Sequence, residues 1–291
     1  MKIALFRCCV TAIGLDHFES STNAVLRKLG IEFVDLKEFG CCGYPLRNFN
    51  FRAFVLASAR NLALAERRGL NILTACNCCY GNLKHAAHLM KEDAALRDDI
   101  NAALAREGLH YEGDIAAKHL LQILHDEIGI ELIKASLKKT FRNLKIATHY
   151  GCHLLRPSDI AQFDQPFSPT KFDRLVTVTG AESISWSAKL DCCGSPLVGA
   201  NSELSMDLTQ KKLQSAREGG ADYICVICPY CQMQFDTVQK IMVSRRGAKA
   251  VLPSILYPQL LGLCLEIPPQ QLGIEMNKVP ITGLQQLLSD N

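Results

Sequence analysis

The stretches CCGYPL (41–46) and CCGSPL (192–197) are two copies of one uncommon pattern in the same chain. Each copy joins two adjacent cysteines to a glycine and, two residues later, to a proline. Glycine lets the backbone turn sharply and proline stiffens the segment that follows, so each copy predicts a fixed turn that carries two thiols. A pattern that occurs twice indicates that a longer repeat surrounds it.

The sequences around both copies repeat as well. A lone cysteine precedes each Cys-Cys-Gly, and a Cys-x-x-Cys pair follows it after 33 residues in the first half and 34 in the second. These matched flanks predict an internal duplication, with a first domain over 1–143 and a second over 144–291. The matched segments are 2–9 with 145–152, 38–46 with 189–197, and 65–79 with 216–231.

The repeat register selects five cysteines in each half. The shared Lys-Ile-Ala aligns Cys9, and not Cys8, with Cys152. The Cys-x-x-Cys of the second half likewise selects Cys76 and Cys79 and leaves out Cys78. Of the four cysteines outside the repeat, Cys225 and Cys264 are predicted to be buried apolar residues. Cys8 and Cys78 adjoin the motif and could be alternative ligands, with packing as the favoured interpretation. The first set is Cys9, Cys41, Cys42, Cys76 and Cys79; the second set is Cys152, Cys192, Cys193, Cys228 and Cys231.

The composition is that of a soluble globular protein. The chain has 291 residues, of which 48% are hydrophobic and 21% charged. A net charge of +3 without a block of basic residues argues against nucleic-acid binding. No run reaches the ~18 apolar residues of a membrane span, and no export signal is visible. We therefore expect a cytoplasmic protein, in which clustered cysteines hold metal or perform redox chemistry.

Short β-rich runs alternate with helical segments. Strands are predicted over 2–8, 31–36 and 71–76, with helices over 20–30 and 51–69 between them. This alternation predicts an α/β fold of two Rossmann-like half-domains with parallel sheets. Functional loops gather at the carboxyl ends of parallel strands, so each cysteine set should converge there. The tail after Pro268 is expected to cover the other half or to dock another subunit.

Five thiols exceed what the ordinary metal sites need. Structural zinc and a cubane iron–sulfur cluster each take four ligands, so five favour a larger or open iron–sulfur assembly. Zinc in one half remains an alternative. The sequence CPYC (228–231) is also typical of a glutaredoxin-type dithiol, but that interpretation leaves the rest of the second set and the whole first copy unexplained.

The segments CCGYPL (41–46), LNILTACNCCYGNLKHA (70–86) and GCHLLRP (151–157) resemble the CCG-domain family, in particular the B-type subunit of heterodisulfide reductase. The resemblance covers nearly the whole chain. MKIALFRCC (1–9) is most similar to the B2 subunit of the heterodisulfide-reductase-like complex of sulfur-oxidising prokaryotes. Cys8 and Cys78 depart from the pattern, because each stands where a glycine is usual.

The resemblance implies two noncubane [4Fe-4S] clusters, one held by the first set and one by the second, in half-domains related by a pseudo-twofold axis. It implies a catalytic subunit that makes or breaks S–S bonds. In sulfur oxidation, the sulfur would be carried on a lipoate-binding protein. The chain has no ferredoxin-type cysteine run and no G-x-G-x-x-G. The resemblance therefore implies a flavoprotein A-type and a ferredoxin-like C-type partner subunit.

Four basic side chains lie near the cysteines in sequence and could tune a cluster or bind an anionic substrate. Helix capping or a surface position is the alternative for each. The chain could also be an electron-transfer CCG subunit of a lactate, glycolate or succinate oxidoreductase, or a zinc-binding structural subunit. The four candidates are Arg47, His149, His153 and Arg156.

Overall fold

The computed structural model describes residues 2–247 and 251–290. The first half contains a parallel four-stranded sheet whose strand order is β2-β1-β3-β4. Its elements are β1 (Lys2–Leu5), α1 (Asp16–Lys28), β2 (Glu32–Val34), α2 (Phe51–Glu66), β3 (Ile72–Thr74), α3 (Asn77–Glu92), α4 (Ala94–Leu104), β4 (Ala117–His119), α5 (Leu120–Gln122), α6 (Ile130–Ser136) and β5 (Lys139–Phe141).

The second half repeats this sheet with the order β7-β6-β8-β9, again parallel throughout. The duplicated α/β architecture predicted from the sequence is therefore confirmed. Its elements are β6 (Lys145–Thr148), α7 (Cys152–Leu155), α8 (Ser158–Ala161), α9 (Lys171–Thr177), β7 (Glu182–Ser183), α10 (Ser202–Glu218), β8 (Tyr223–Val226), α11 (Pro229–Met233), α12 (Gln239–Arg246), β9 (Ser254–Leu256), α13 (Tyr257–Cys264) and β10 (Leu288–Asp290).

The strands are shorter than the apolar runs that predicted them. β1 ends at Leu5, and not at residue 8, and β3 ends at Thr74. The residues after each strand leave the sheet, and Cys76 becomes the residue that precedes the first turn of α3. Hydropathy does not distinguish a buried strand from a buried loop, so the predicted runs were too long at this end.

Two matching helices, α2 and α10, follow the two CCG turns. Each begins after an asparagine whose side-chain oxygen accepts a hydrogen bond from a backbone N–H of the first turn: Asn50 from Ala53 at 2.9 Å, and Asn201 from Leu204 at 3.0 Å. Such caps satisfy backbone donors that the helix itself leaves free. Both helices therefore start at a fixed distance from the cysteines.

The halves share one continuous hydrophobic core. Helix α3 of the first half packs against α7 and α8 of the second, and the side-chain amide of Asn77 donates to the carbonyl of Tyr150 at 2.7 Å. The tail packs within the chain, because β10 pairs antiparallel with β5 and Gly273 lies against His17. Among the described residues, no helix has both the length and the apolar character to cross a membrane.

Candidate metal centre

Each cysteine set is delivered by the loops at the carboxyl ends of the strands. In the first half, Cys9 follows β1, Cys41 and Cys42 lie between β2 and α2, and Cys76 precedes α3. The second half places its cysteines in the same way after β6, β7 and β8. All fourteen cysteines of the chain are free thiols.

The two CCG turns have one geometry. Gly43 has φ = 82° and Gly194 has φ = 93°, values that side chains rarely adopt. A Cβ on Gly43 would lie 2.8 Å from the Phe54 carbonyl oxygen, and a Cβ on Gly194 would lie 2.6 Å from that of Ser205. The glycine is therefore needed both for the turn and for close approach to the following helix. In both turns the glycine N–H lies 3.4 Å from the sulfur of the first cysteine of the pair.

The helix after each turn also supports the second cysteine of the pair. The hydroxyl of Ser58 on α2 donates to the Cys42 carbonyl at 2.6 Å, and the hydroxyl of Thr209 on α10 donates to the Cys193 carbonyl at 3.1 Å. These equivalent bonds fix the backbone of both turns. Residue 58 of the first half therefore corresponds to residue 209 of the second.

In the first half, Cys8 lies inside the cysteine group, although packing was the favoured interpretation for this residue. The sulfur atoms of Cys8, Cys76 and Cys79 all lie within 4.8 Å of one another, and the three residues are buried. Cys9 is exposed and lies within hydrogen-bonding reach of Cys8 and Cys41. The structure thus brings Cys8 and Cys9 to the same cysteine group.

The two sets meet at one point, which we call the junction: the thiols of Cys76, Cys78 and Cys228. These three buried sulfurs also lie within 4.8 Å of one another. Cys78 therefore lies between the halves, where its sulfur is also 3.3 Å from Nδ1 of His153. From the junction, thiol contacts continue through Cys231 into the second set.

In the second half, a histidine joins the cysteine group. His149 is buried, and its Nε2 lies 3.3 Å from the sulfur of Cys231. His149, Cys193 and Cys231 place one ligand atom each within 4.8 Å of the others. Burial, together with the charge of Lys212, holds the pKa of His149 well below its usual value, so the ring is neutral.

Thiols that lie side by side in the fold shift one another's pKa. The hydrogen bond from Cys41 lowers the pKa of Cys42 to about 3, and the hydrogen bond from Cys152 lowers the pKa of Cys192 to about 2. The pKa of the donor thiol is raised in each pair. Each half thus holds a thiolate at neutral pH, and the thiolate is the form that binds metal.

An open cleft of about 640 Å³ lies beside the cysteines. It is lined by residues of both CCG exits, including Tyr44, together with Cys152 and His153. Arg47 and Arg156 line it as well, so both arginine candidates lie at this cleft, which also borders the second set. The Arg47 guanidinium is 3.0 Å from Nδ1 of His85, while Arg156 is exposed.

The Cysteine-rich domain family (CCG) matches residues 3–84 and 146–236. The chain belongs to this family. The two matched segments contain both cysteine sets and cover three of the four strands of each parallel sheet, while β4 and β9 lie outside them. A TM-score of 0.74 relates the fold to a hypothetical protein from Helicobacter pylori of known crystal structure, with 20% identity over 96% of this chain and 52% of that one. That similarity concerns the fold alone.

Two curated relatives match the CCG chain over almost its whole length. One is the B-type subunit of the ferredoxin/F420H2-dependent CoB-CoM heterodisulfide reductase of Methanosarcina acetivorans, with 36% identity over 96% of this chain and 94% of that protein. The other is the 8-methylmenaquinol:fumarate reductase membrane anchor subunit of Wolinella succinogenes, with 33% identity over 97% and 99%. Together with the clustered thiols, this kinship identifies a metal-binding, iron–sulfur oxidoreductase subunit.

The donor chemistry of the CCG chain fits an iron–sulfur group. The candidate ligands are soft thiols, they are free, and each half offers at least one as a thiolate. The two remaining cysteines, Cys225 and Cys264, are fully buried away from these groups, as predicted.

A side chain that the sequence reasoning missed is Lys212, a buried lysine on the inward face of α10. Its place among Met206, Thr209 and Leu213 in the apolar spacing would have revealed it.

Proposed function

We propose that this chain makes or breaks S–S bonds at two iron–sulfur centres, one in each half (1–143 and 144–291). The first centre would be held by Cys9, Cys41, Cys42, Cys76 and Cys79. The second would be held by Cys152, Cys192, Cys193, Cys228 and Cys231. We propose the noncubane [4Fe-4S] type for both, because each set has five thiols where a cubane uses four.

The observation that carries this proposal is the junction. Two homologous cysteine sets converge on the buried sulfurs of Cys76, Cys78 and Cys228, and an open cleft lies beside them. Reducing a disulfide consumes two electrons and two protons and yields two thiols. Two adjacent sulfur-binding centres suit a substrate that separates into two sulfurs.

The side chains around the cleft would bind and orient the substrate. The guanidinium groups of Arg47 and Arg156 favour a substrate that carries anionic substituents. The ring of Tyr44 packs against those of His153 and Tyr230, with centroid distances of 5.3 Å and 5.9 Å. These rings would limit the access of water to the buried sulfurs.

His153 links the cleft to the junction. Its ring lines the cleft, and its Nδ1 lies 3.3 Å from the sulfur of Cys78. Burial lowers the pKa of His153, so the ring is neutral and carries one N–H. That N–H can donate a hydrogen bond to a thiolate that leaves a broken S–S bond. When bound, the iron–sulfur groups would supply the electrons and an open iron for sulfur.

Partner subunits would supply the electron relay. We propose a flavoprotein A-type subunit and a ferredoxin-like C-type subunit, and, for the sulfur-oxidising direction, a lipoate-binding protein as the sulfur carrier. The subunit names of the relatives support assembly with other chains. The ground for proposing the sulfur-oxidising role is the resemblance of MKIALFRCC (1–9) to the B2 subunit.

The test is anaerobic purification followed by iron and sulfide analysis, then assay with a reduced viologen dye and small disulfides. We expect about eight iron and eight sulfide per chain, as two [4Fe-4S] centres require, and disulfide-dependent dye oxidation. Arg47→Gln should raise the KM for an anionic disulfide more than for a neutral one. Zinc with little iron would contradict the proposal and favour the structural alternative.

A second candidate function is electron transfer alone. The fumarate reductase subunit of Wolinella succinogenes is 33% identical over nearly the whole chain, so the same fold is found in a complex that acts on a quinol and fumarate. In that case the centres would be reduced and reoxidised by partner chains, but no disulfide would support turnover. The viologen assay separates the two functions.

A further inference from the structure

Lys212 is a buried, positively charged side chain beside the second CCG turn. Its side chain is 1% exposed and lies on α10, directly behind the second CCG turn. Its Nζ donates to the carbonyls of Ala188 and Asp191, the latter at 2.9 Å, and lies 4.7 Å from the Trp186 ring centroid. Within residues 2–247 and 251–290, no carboxylate forms an ion pair with it.

A buried charge is costly unless an opposite charge compensates it. The ammonium group interacts electrostatically with Asp191 and with three cysteines of the second set, Cys193, Cys231 and Cys152. Burial lowers the pKa of Lys212 to about 8, so the group is still charged at pH 7. Asp191 is exposed, so solvent screens its charge, and the buried counter-charge of Lys212 is an anionic group held by the second set.

The first half has a neutral side chain at the same place. Ser58 and Thr209 make equivalent bonds to the CCG turns, and counting three residues further along each helix pairs Asn61 with Lys212. The side-chain amide of Asn61 donates to the Cys41 carbonyl at 3.0 Å and accepts from the Gly40 N–H at 2.9 Å. Both side chains therefore support the loop before the paired cysteines, but only Lys212 brings a charge.

We propose that Lys212 raises the reduction potential of the second centre above that of the first, so that the second centre is reduced first. The inference rests on the proposed function, since it requires a redox centre in each half. Reduction adds negative charge, and a fixed positive charge in a poorly solvated interior stabilises the reduced form more than the oxidised form. Asn61 gives the first centre no such charge.

The test is a redox titration at pH 7, followed by electron paramagnetic resonance, on the full reconstituted chain. All variants carry Cys42→Ser, which removes the first centre, so that the measured signal comes from the second centre alone. Lys212→Met should lower the midpoint potential by about 59 mV or more, a tenfold change in a one-electron equilibrium constant. The matched control is Lys211→Met, which removes an exposed charge from the adjacent residue of the same helix and should leave the potential unchanged.

A second variant separates charge from support of the loop. Lys212→Gln removes the charge but keeps an N–H donor for the carbonyls of 188–191. Electrostatic tuning predicts that Gln lowers the potential as Met does, whereas a purely structural role predicts that Gln restores it. An unchanged potential at full iron content, a rescue by Gln, or loss of the centre in both variants would overturn the inference. Absence of redox-active iron from the unmodified chain would instead contradict the proposed function.

Discussion

The two CCG turns have the same backbone support but different surroundings. Both rest on a glycine of positive φ, and both are held by a hydroxyl group on the next helix. Around this shared frame, Asn61 corresponds to Lys212, and Cys78, between the Cys-x-x-Cys cysteines of the first half, corresponds to Tyr230 of the second. The duplication has kept the backbone geometry of the CCG turns and changed the charge and the solvent access around them.

The two sets also differ in solvent access, and the second set is the more buried one. Cys9 and Cys41 of the first set are exposed, whereas the corresponding Cys152 and Cys192 are half-buried. The second set also has a buried imidazole, His149, beside its sulfurs. Two centres whose CCG turns share one backbone geometry, but whose burial and charge differ, should have different reduction potentials and different rates of ligand exchange. The halves are therefore best regarded as two distinct centres in one scaffold.

The largest expected effect is the loss of one centre at a time. Cys42→Ser and Cys193→Ser each replace a buried thiol with a poorer ligand in one half only. Each variant should retain about four of about eight iron atoms, and the spectra of the two variants should add to that of the unmodified chain. Iron analysis and electron paramagnetic resonance of the anaerobic proteins measure this.

The matched control is Cys225→Ser, which alters a buried cysteine outside both sets and should keep the full iron content. A variant that loses all iron would show that the two centres form only together, and the picture of two independent frames would then be wrong.

The next effect concerns the backbone of the two CCG turns. Gly43→Ala and Gly194→Ala should each destabilise the protein by about 1–3 kcal/mol or more, because each forces a side chain into the left-handed region and against a carbonyl oxygen. Gly194→Ala should cost more, since its contact would be 2.6 Å and that of Gly43→Ala 2.8 Å. Denaturant unfolding of the metal-free chain measures the free energy of unfolding.

Gly40→Ala and Gly199→Ala are the controls for these variants. Neither glycine has a positive φ, and a Cβ at either position would meet open space. Both controls should change the free energy of unfolding by less than about 1 kcal/mol. Equal losses in controls and test variants would show that the turn geometry is not the reason for the glycine in Cys-Cys-Gly.

The fold and the thiol groups were largely predictable because they depend on repeats and periodicity. The matched flanks of CCGYPL and CCGSPL predicted two parallel sheets, and strand-end placement predicted where the thiols converge. The junction was not predictable, because the meeting of Cys76 and Cys228 depends on how α3 packs against α7 and α8. A repeat defines each half but carries no information on the surface that joins them.

The side chains around the thiols were predicted less completely. His149 contacts the sulfur of Cys231 and His153 that of Cys78, so neither contact involves Cys152, the cysteine nearest to both in sequence. Lys212 lies 19 residues after Cys193 in sequence and reaches the site only through the packing of α10. The apolar spacing of α10 marks Lys212 as an inward-facing residue, but only the folded structure shows that it lies near the second cysteine set.

The smallest expected effect tests whether both halves use equivalent ligands. Cys78→Ala should keep the full iron content, because the repeat register makes Cys76 and Cys79, and not Cys78, equivalent to Cys228 and Cys231. Its neighbour provides the control: Cys79→Ala should lose the iron of the first centre. Iron analysis of the two anaerobic proteins distinguishes them. If Cys78→Ala lost iron and Cys79→Ala did not, the first half would hold its centre through the junction thiol. The duplication would then have preserved the backbone frame while the two halves diverged in the ligands themselves.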